Sequence, residues 1–339
     1  MIRLGVICPS EIAVRRFLPA LKQCGDFRFS GVAVADRTEY NGATDEILSK
    51  EVEKAKSIQA EYGGDIFNGY QSMIESSDVD AIYLPLPPAL HFSWAERVLR
   101  SGKHVLVEKP CTTNMEDAEK LIALAADRQL ALHENYMFTA HRQMEQVREV
   151  IESGKIGQVR LYRIDFGFPL RAATDFRFNK ALGGGAVLEC AGYTMRCASW
   201  LLGETAVLIS GTKNYVEGYE VDMYGSATMR NADGVTAQLA WGMDNNYRCS
   251  IDVWASKGTL HTGRVFTAPA GFTPSATIKI GNDDPYTIAL DADDTFKKSI
   301  EHFGSCIKNN QARLSNYVQI RRQAELMDRF DRLSGITEK

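Results

Sequence analysis

Gly102-Lys103-His104-Val105-Leu106-Val107-Glu108-Lys109-Pro110 decides the reading of this chain. The run 104–107 is a short apolar strand, and it delivers a lysine and then a proline at its carboxyl end. In an open α/β sheet that edge is where ligands bind. Pro110 fixes φ near about −65° and has no N–H for a sheet ladder, so the strand stops and Lys109 stands at its tip. Read alone, Glu108 and Lys109 are equally a pair of solvated charges after a strand. The surrounding pattern favours the first reading.

Working outward, strand and helix patterns alternate. Upstream lie a strand over 2–7, a helix over 11–23, a strand over 29–35 that stops at Asp36-Arg37, and a polar insertion over 38–50. Helices over 51–62 and 69–76, a strand over 80–84 and a helix over 91–101 follow. Downstream come a helix over 115–128 and a strand over 130–134. Strict β/α alternation predicts a doubly wound parallel sheet, an α/β dinucleotide-binding domain over 1–135. Beyond 138 the pattern changes. A helix over 141–153 and the turn Gly154-Lys155-Ile156-Gly157 precede long strands over 159–168, 207–215, 225–230, 235–241 and 249–255, with breaks such as Asn231-Ala232-Asp233-Gly234. Helix-period segments over 295–308 and 314–333 close the chain. Residues 136–339 therefore read as an α+β domain with a large, mainly antiparallel sheet.

Composition narrows the partners. The chain has 339 residues, 45% hydrophobic and 24% charged, with a formal net charge of −4. That balance argues against nucleic acid or a membrane as partner and for a small molecule. Seven scattered cysteines and six histidines show no CxxC, HxxxH or HExxH spacing, so neither a disulfide framework nor a metal site is expected. The start of the chain lacks a secretory pattern, which points to the cytoplasm.

The first strand-to-helix turn, where such a fold cradles phosphate, reads Gly5-Val6-Ile7-Cys8-Pro9-Ser10-Glu11-Ile12-Ala13. A glycine-rich turn would have glycines at Cys8 and Ser10, and only Ala13 keeps the small residue for close helix packing. Pro9 removes a backbone donor, and Glu11 sets a negative charge near the pyrophosphate position. The helix amino terminus and the Ser10 hydroxyl still favour an anion. Asp36 stands where a carboxylate binds the adenosine ribose, whereas Arg37 pairs with a 2′-phosphate or lies over the adenine. Because a carboxylate repels phosphate, NAD is slightly favoured over NADP. Leu84-Pro85-Leu86-Pro87-Pro88, then Leu90-His91, forms a rigid loop suited to a planar nicotinamide. The cofactor-binding candidates are Ser10, Glu11, Ile12, Asp36, Arg37, Leu84, Pro85, His91, Glu108 and Lys109.

In the second half, Gly183-Gly184-Gly185-Ala186-Val187-Leu188-Glu189-Cys190-Ala191-Gly192-Tyr193 leads into a helix over 194–202. Glu189 and Tyr193, four apart, share one helical face. A phenol titrates near about 10, but a nearby ammonium favours its phenolate, and Lys109 is the candidate ammonium. Glu189 either orients a substrate hydroxyl or holds Lys109 in an ion pair. Tyr193 is otherwise a packing aromatic.

These residues resemble the Gfo/Idh/MocA oxidoreductases. The resemblance rests on Glu108-Lys109-Pro110, Leu90-His91, the 154–157 turn and the GGGAxLxxxGY-like stretch at 183–193, and it spans essentially the whole chain. Val235-Thr-Ala-Gln-Leu239, Gly242-Met243, Arg264-Val-Phe-Thr-Ala-Pro269, and Ile12-Ala13, Arg15-Arg16 and Pro19-Ala-Leu21 in the first helix are similar to the branch holding glucose–fructose oxidoreductase and the dTDP-sugar 3-ketoreductases. The resemblance implies an N-terminal Rossmann domain, a C-terminal sheet that assembles a homodimer or homotetramer, and hydride transfer between NAD or NADP and a sugar carbon. It implies that Lys109 touches the reacting oxygen, that Tyr193 gives or takes the proton, and that Arg177 lines the substrate pocket or braces its loop. Cys8-Pro9-Ser10 departs from the family turn, Glu189 stands where Asp is usual, and the 38–50 insertion enlarges the adenosine side.

The expected function is hydride transfer between a nicotinamide and a hydroxyl or keto carbon of a nucleotide-linked sugar, with Lys109, Tyr193 and Glu189 as catalytic candidates and no metal. One alternative is a dehydrogenase of free sugars, inositols or dihydrodiols. Another is a catalytically silent nucleotide-binding sensor or scaffold, which the altered phosphate turn keeps open.

Overall fold

β1 (Ile2–Ile7) opens the computed structural model, which describes residues 1–39 and 44–335. A π turn (Ala13–Phe17) and α1 (Leu18–Leu21) follow, then β2 (Phe27–Val34), α2 (Asp45–Tyr62), β3 (Asp65–Asn68) and α3 (Tyr70–Glu75). Next come β4 (Ala81–Leu84), α4 (Pro88–Arg100), β5 (His104–Val107), α5 (Met115–Asp127) and β6 (Leu132–Glu134). The six strands lie in the order β3-β2-β1-β4-β5-β6, and every pairing is parallel. Strand order reverses beside β1, so loops after β1 and β4 open a crevice at the carboxyl edge.

Three local differences from the sequence reading have physical causes. The expected regular helix over 11–23 is broken by the π turn, because Pro19 has no N–H for the carbonyl one turn back. Residues 38–50 are only partly an insertion. Residues 40–43 lie outside the described residues, but α2 already starts at Asp45, where Thr44 Oγ1 accepts from Ile47 N at 3.3 Å and Asp45 and Glu46 occupy the first turn. β3 escapes the pattern because its four residues are edge-exposed or half-buried.

The second unit carries α6 (Arg142–Glu152), β7 (Val159–Gly167), a π turn (Val187–Ala191) running into α7 (Gly192–Leu202), and β8 (Val207–Tyr215). Then come β9 (Asp222–Arg230), β10 (Thr236–Gly242), β11 (Arg248–Ala255), β12 (Gly258–Gly263), β13 (Ser275–Ile280) and β14 (Tyr286–Ala289). Its eight strands run β14-β13-β12-β11-β7-β10-β9-β8, antiparallel except that β7 and β10 are parallel. The buried face carries Ile164, Leu239, Ile251 and Met229, packed with α7 in one apolar core.

The chain ends in α8 (Thr295–Lys308) and α9 (Asn310–Leu333). Phe296–Arg321 belongs to the compact unit of Met1–Asn135, and the chain from Arg322 on to the unit of Tyr136–Thr295. A single cut between 135 and 136 is therefore too simple, because Tyr317 and Ile320 of α9 complete the first unit's core. Among the described residues no helix is long and apolar enough to cross a membrane.

Candidate active site

The carboxyl edge of the parallel sheet gathers most of the residues singled out from the first half of the sequence. Ser10 to Ile12 follow β1, Asp36 and Arg37 follow β2, Leu84 ends β4 with Pro85 next, and Glu108 and Lys109 follow β5.

The phosphate turn keeps the shape of a glycine turn without the glycine. Cys8 holds φ 70°, the left-handed conformation a glycine adopts without steric cost. Its thiol lies 3.9 Å from Glu51 Oε1, and burial together with that carboxylate pushes it up to about 12. Cys8 is therefore a neutral, tucked-in side chain that leaves the turn open. Ser10 Oγ accepts from Ala13 N at 3.3 Å, capping the helix that follows. Glu11, exposed, sits 3.4 Å from Arg15, which draws its charge into an ion pair on the helix surface. The left-handed turn and capped helix start fit a dinucleotide pyrophosphate.

Asp36 forms an Asx turn. Its Oδ1 accepts from Thr38 N and Thr38 Oγ1 at 2.6 Å each and from Glu39 N at 3.1 Å. The Thr38 hydroxyl is the main reason its carboxyl lies below the usual range. Glu39, which the sequence reading passed over, accepts from Asp36 N, Tyr70 N and Gln71 N, and so pins the 36–39 loop to the start of α3. Arg37 pairs with Asp45 at the start of α2.

Lys109 follows β5 and precedes a cis peptide bond to Pro110. The turn after it is tied down from two sides: His91 Nδ1 lies 2.7 Å from Pro110 O, and Cys111 N donates to Glu134 Oε1 at 2.8 Å. His91 differs from its expected role. It is fully buried, its Nε2 lies 2.6 Å from Leu86 O, and both nitrogens face backbone, so it braces the 84–88 loop against the Lys109 turn instead of meeting a cofactor. Glu108, half-buried, also turns inward. Its Oε1 accepts from Tyr83 OH at 2.7 Å and Asn135 Nδ2 at 2.6 Å, and burial raises its pKa despite those donors.

The second unit builds its own cluster. Arg177 Nε donates to Glu189 Oε2 at 2.9 Å, and its Nη1 meets Asp175 Oδ1 at 3.1 Å. Glu189 is 4% exposed and Arg177 supplies its opposite charge, so these two expected site residues form one pair. The glycine run exists for close approach. A Cβ on Gly184 would meet the Arg177 carbonyl, and one on Gly185, at φ +119°, would meet Asp222. Asp222 Oδ2 accepts from Val187 N at 2.7 Å and caps the helix start; nothing in its sequence surroundings marks it.

Tyr193 lies where the π turn passes into α7. Its ring packs among Tyr136, Phe138, Phe166 and Phe266 with centroids 5.1 to 5.9 Å away, and its hydroxyl is 3.9 Å from Met137 Sδ. The cage fixes the ring. Gly192 beside it has no room for a Cβ against the Tyr136 hydroxyl, and Gln323 Nε2 donates to the Gly192 carbonyl at 3.0 Å. Among the described residues no group of three or more His, Cys, Asp or Glu side chains is placed to hold a metal ion.

A parallel doubly wound sheet with an anion-ready first turn at its carboxyl edge is the architecture of a dinucleotide-binding protein. The chain belongs to the GFO/IDH/MocA oxidoreductase family: residues 24–136 match its NAD-binding Rossmann fold and 144–261 its C-terminal domain. A dTDP-3,4-didehydro-2,6-dideoxy-alpha-D-glucose 3-reductase from Actinomadura kijaniata is 36% identical over 327 residues, 96% of this chain and 94% of the relative. The protein of the same name from Streptomyces violaceoruber is 36% identical over 338 residues, with the same shares. The crystal structure of a 3-ketoreductase from Actinomadura kijaniata in complex with NADP and TDP-benzene superposes with a TM-score of 0.89 at 35% identity, covering 98% of this chain and 97% of that one.

Proposed function

We propose that this protein reduces the 3-keto group of a dTDP-linked deoxysugar with a reduced nicotinamide dinucleotide, in the cytoplasm. The observation that carries this reading is 36% identity, over 96% of the chain, to a reductase named for that reaction. When bound, the dinucleotide supplies the hydride. Lys109 then donates an N–H to the keto oxygen and stabilises the charge that grows there. Tyr193 delivers the proton that completes the hydroxyl. The Arg177–Glu189 pair orients a neighbouring sugar hydroxyl. Ser10 and the helix amino terminus hold the pyrophosphate, and Asp36 and Arg37 meet the adenosine ribose.

The protein works as a homodimer or homotetramer through the open face of its large sheet. Trp254, Leu161, Thr236, Arg230 and Val207 stand in one cross-strand row, and Trp254 on that row is 64% exposed. An exposed tryptophan on a broad sheet face supports an interface there.

Calorimetric titration with NADPH, NADH and dTDP tests the binding requirements. Saturable binding of a dinucleotide and of dTDP supports the reading. A dinucleotide without dTDP affinity moves the assignment to a dehydrogenase of free sugars or inositols, and dTDP without any dinucleotide contradicts hydride transfer.

A further inference from the structure

A buried polar chain runs back from Glu108, the residue before Lys109, and no step above uses it. Beyond the Asn135 Nδ2 contact with Glu108 at 2.6 Å, Asn135 Oδ1 accepts from the Ser299 hydroxyl at 2.7 Å. Ser299 Oγ lies 2.9 Å from His133 Nε2, His133 Nδ1 lies 3.1 Å from Asn316 Oδ1, and Asn316 Nδ2 donates to the Leu132 carbonyl. Asn135, Ser299, His133 and Asn316 are all at most 7% exposed.

Counting hydrogens fixes the direction of each bond. Asn316 gives an N–H to Leu132 and so turns its oxygen to His133, which requires a proton on Nδ1. Asn135 gives an N–H to Glu108 and so turns its oxygen to Ser299, which must supply its single hydroxyl hydrogen. Nothing is left on Ser299 for Nε2, so Nε2 must donate as well. Both ring nitrogens donate only in the imidazolium. In the neutral ring Ser299 turns its hydrogen to Nε2, and the Asn135 oxygen loses its donor.

We propose that His133 is a positioning residue for Glu108 and Lys109: its imidazolium fixes Ser299 and Asn135 in the orientation that clamps the Glu108 carboxylate, and loss of its proton releases that clamp. Facing it from α8 are the His302 ring, with a centroid distance of 5.3 Å, and the Phe303 ring at 6.1 Å. His302 in turn lies 3.6 Å from Cys306 Sγ, whose neighbour in charge is Arg313 of α9. Across the chain stands the Glu108 carboxylate. Glu108 favours the imidazolium, and a protonated His302 opposes it.

The test is a titration of the His133 ring by 15N–1H spectra of histidine-labelled protein in wild type, Glu108→Gln, Ser299→Ala and the double variant. Glu108→Gln is expected to lower the His133 midpoint by about half a pH unit or more, and Ser299→Ala to remove most of that effect. An unchanged midpoint in Glu108→Gln overturns the proposal, and this comparison decides alone should Ser299→Ala not fold. A second readout rests on the proposed hydride transfer: kcat falls as His133 loses its proton, with the dinucleotide KM little changed, and folded Ser299→Ala flattens that limb. A limb that persists in Ser299→Ala overturns the proposal. Coupled midpoints in a protein that reduces no dTDP-keto sugar support the link and sink the functional reading instead.

Discussion

Tyr193 holds its phenol on a ring that four aromatic neighbours keep in place, so a change at its hydroxyl alters chemistry with little repacking. Tyr193→Phe is expected to lower kcat by roughly 10²-fold with dinucleotide affinity little changed, since only the proton is lost. Lys109→Met is expected to cost about as much, and, if the proposed step holds and both groups serve one keto oxygen, the double variant to be barely worse than either. Steady-state kinetics with paired dinucleotide titrations measures all three, and a Tyr193→Phe enzyme that keeps more than half of wild-type turnover returns Tyr193 to a packing role. In the proposed function Asp36 and Arg37 set the coenzyme preference between them. Asp36→Ser is expected to shift the NADPH/NADH ratio of kcat/KM toward NADPH by about 1–3 kcal/mol, as a repulsion disappears. An unchanged ratio means that the Asp36 charge lies away from the ribose. The positions of Lys109, Tyr193, Asp36 and Arg177 in the fold are legible because each sits next to a turn or strand end that the sequence marks. His91 was legible as special but not in role, since only the fold shows both ring nitrogens against backbone. The pairing of His133 with Ser299 joins positions 166 apart and leaves no local signal.

Among the elements, the helix start at Val187 depends on a residue from a different strand. Asp222 opens β9, caps Val187 N, and is pushed by burial up to about 6. The native state therefore holds this proton more tightly than the unfolded chain, whose carboxyl titrates near 3.8. Its contribution to stability is fully present below about pH 4 and is lost as pH rises through about 6. Asp222→Asn keeps the acceptor and removes the charge. It should match wild type near pH 4 and exceed it above pH 6 by about 1–2 kcal/mol, a discounted fraction of the full shift. Thermal unfolding across that range checks the sign, and a variant equally destabilised at both ends shows that the carboxylate is needed as such. The strand 104–107 was read to the residue because it is apolar, buried and stopped by proline. α2 was read short, because the Thr44 cap precedes a first turn with little apolar period. β12 to β14 escaped the sequence reading, being only four to six residues long.

For the whole molecule, the open sheet face predicts assembly. Trp254→Glu should lower the mass seen by light scattering toward one chain while leaving secondary structure intact, and an unchanged mass places the interface elsewhere. The proposed reaction delivers hydride to a keto carbon of a dTDP-linked sugar. Its most direct measurement is to supply NADPH carrying deuterium in the transferable position together with a dTDP-linked 3-keto-6-deoxysugar, and to locate the label in the product by NMR. Deuterium is expected on sugar carbon 3 in one-to-one ratio with dinucleotide oxidised. Oxidation of dinucleotide with the label elsewhere, or turnover only with free sugars or inositols, would contradict it.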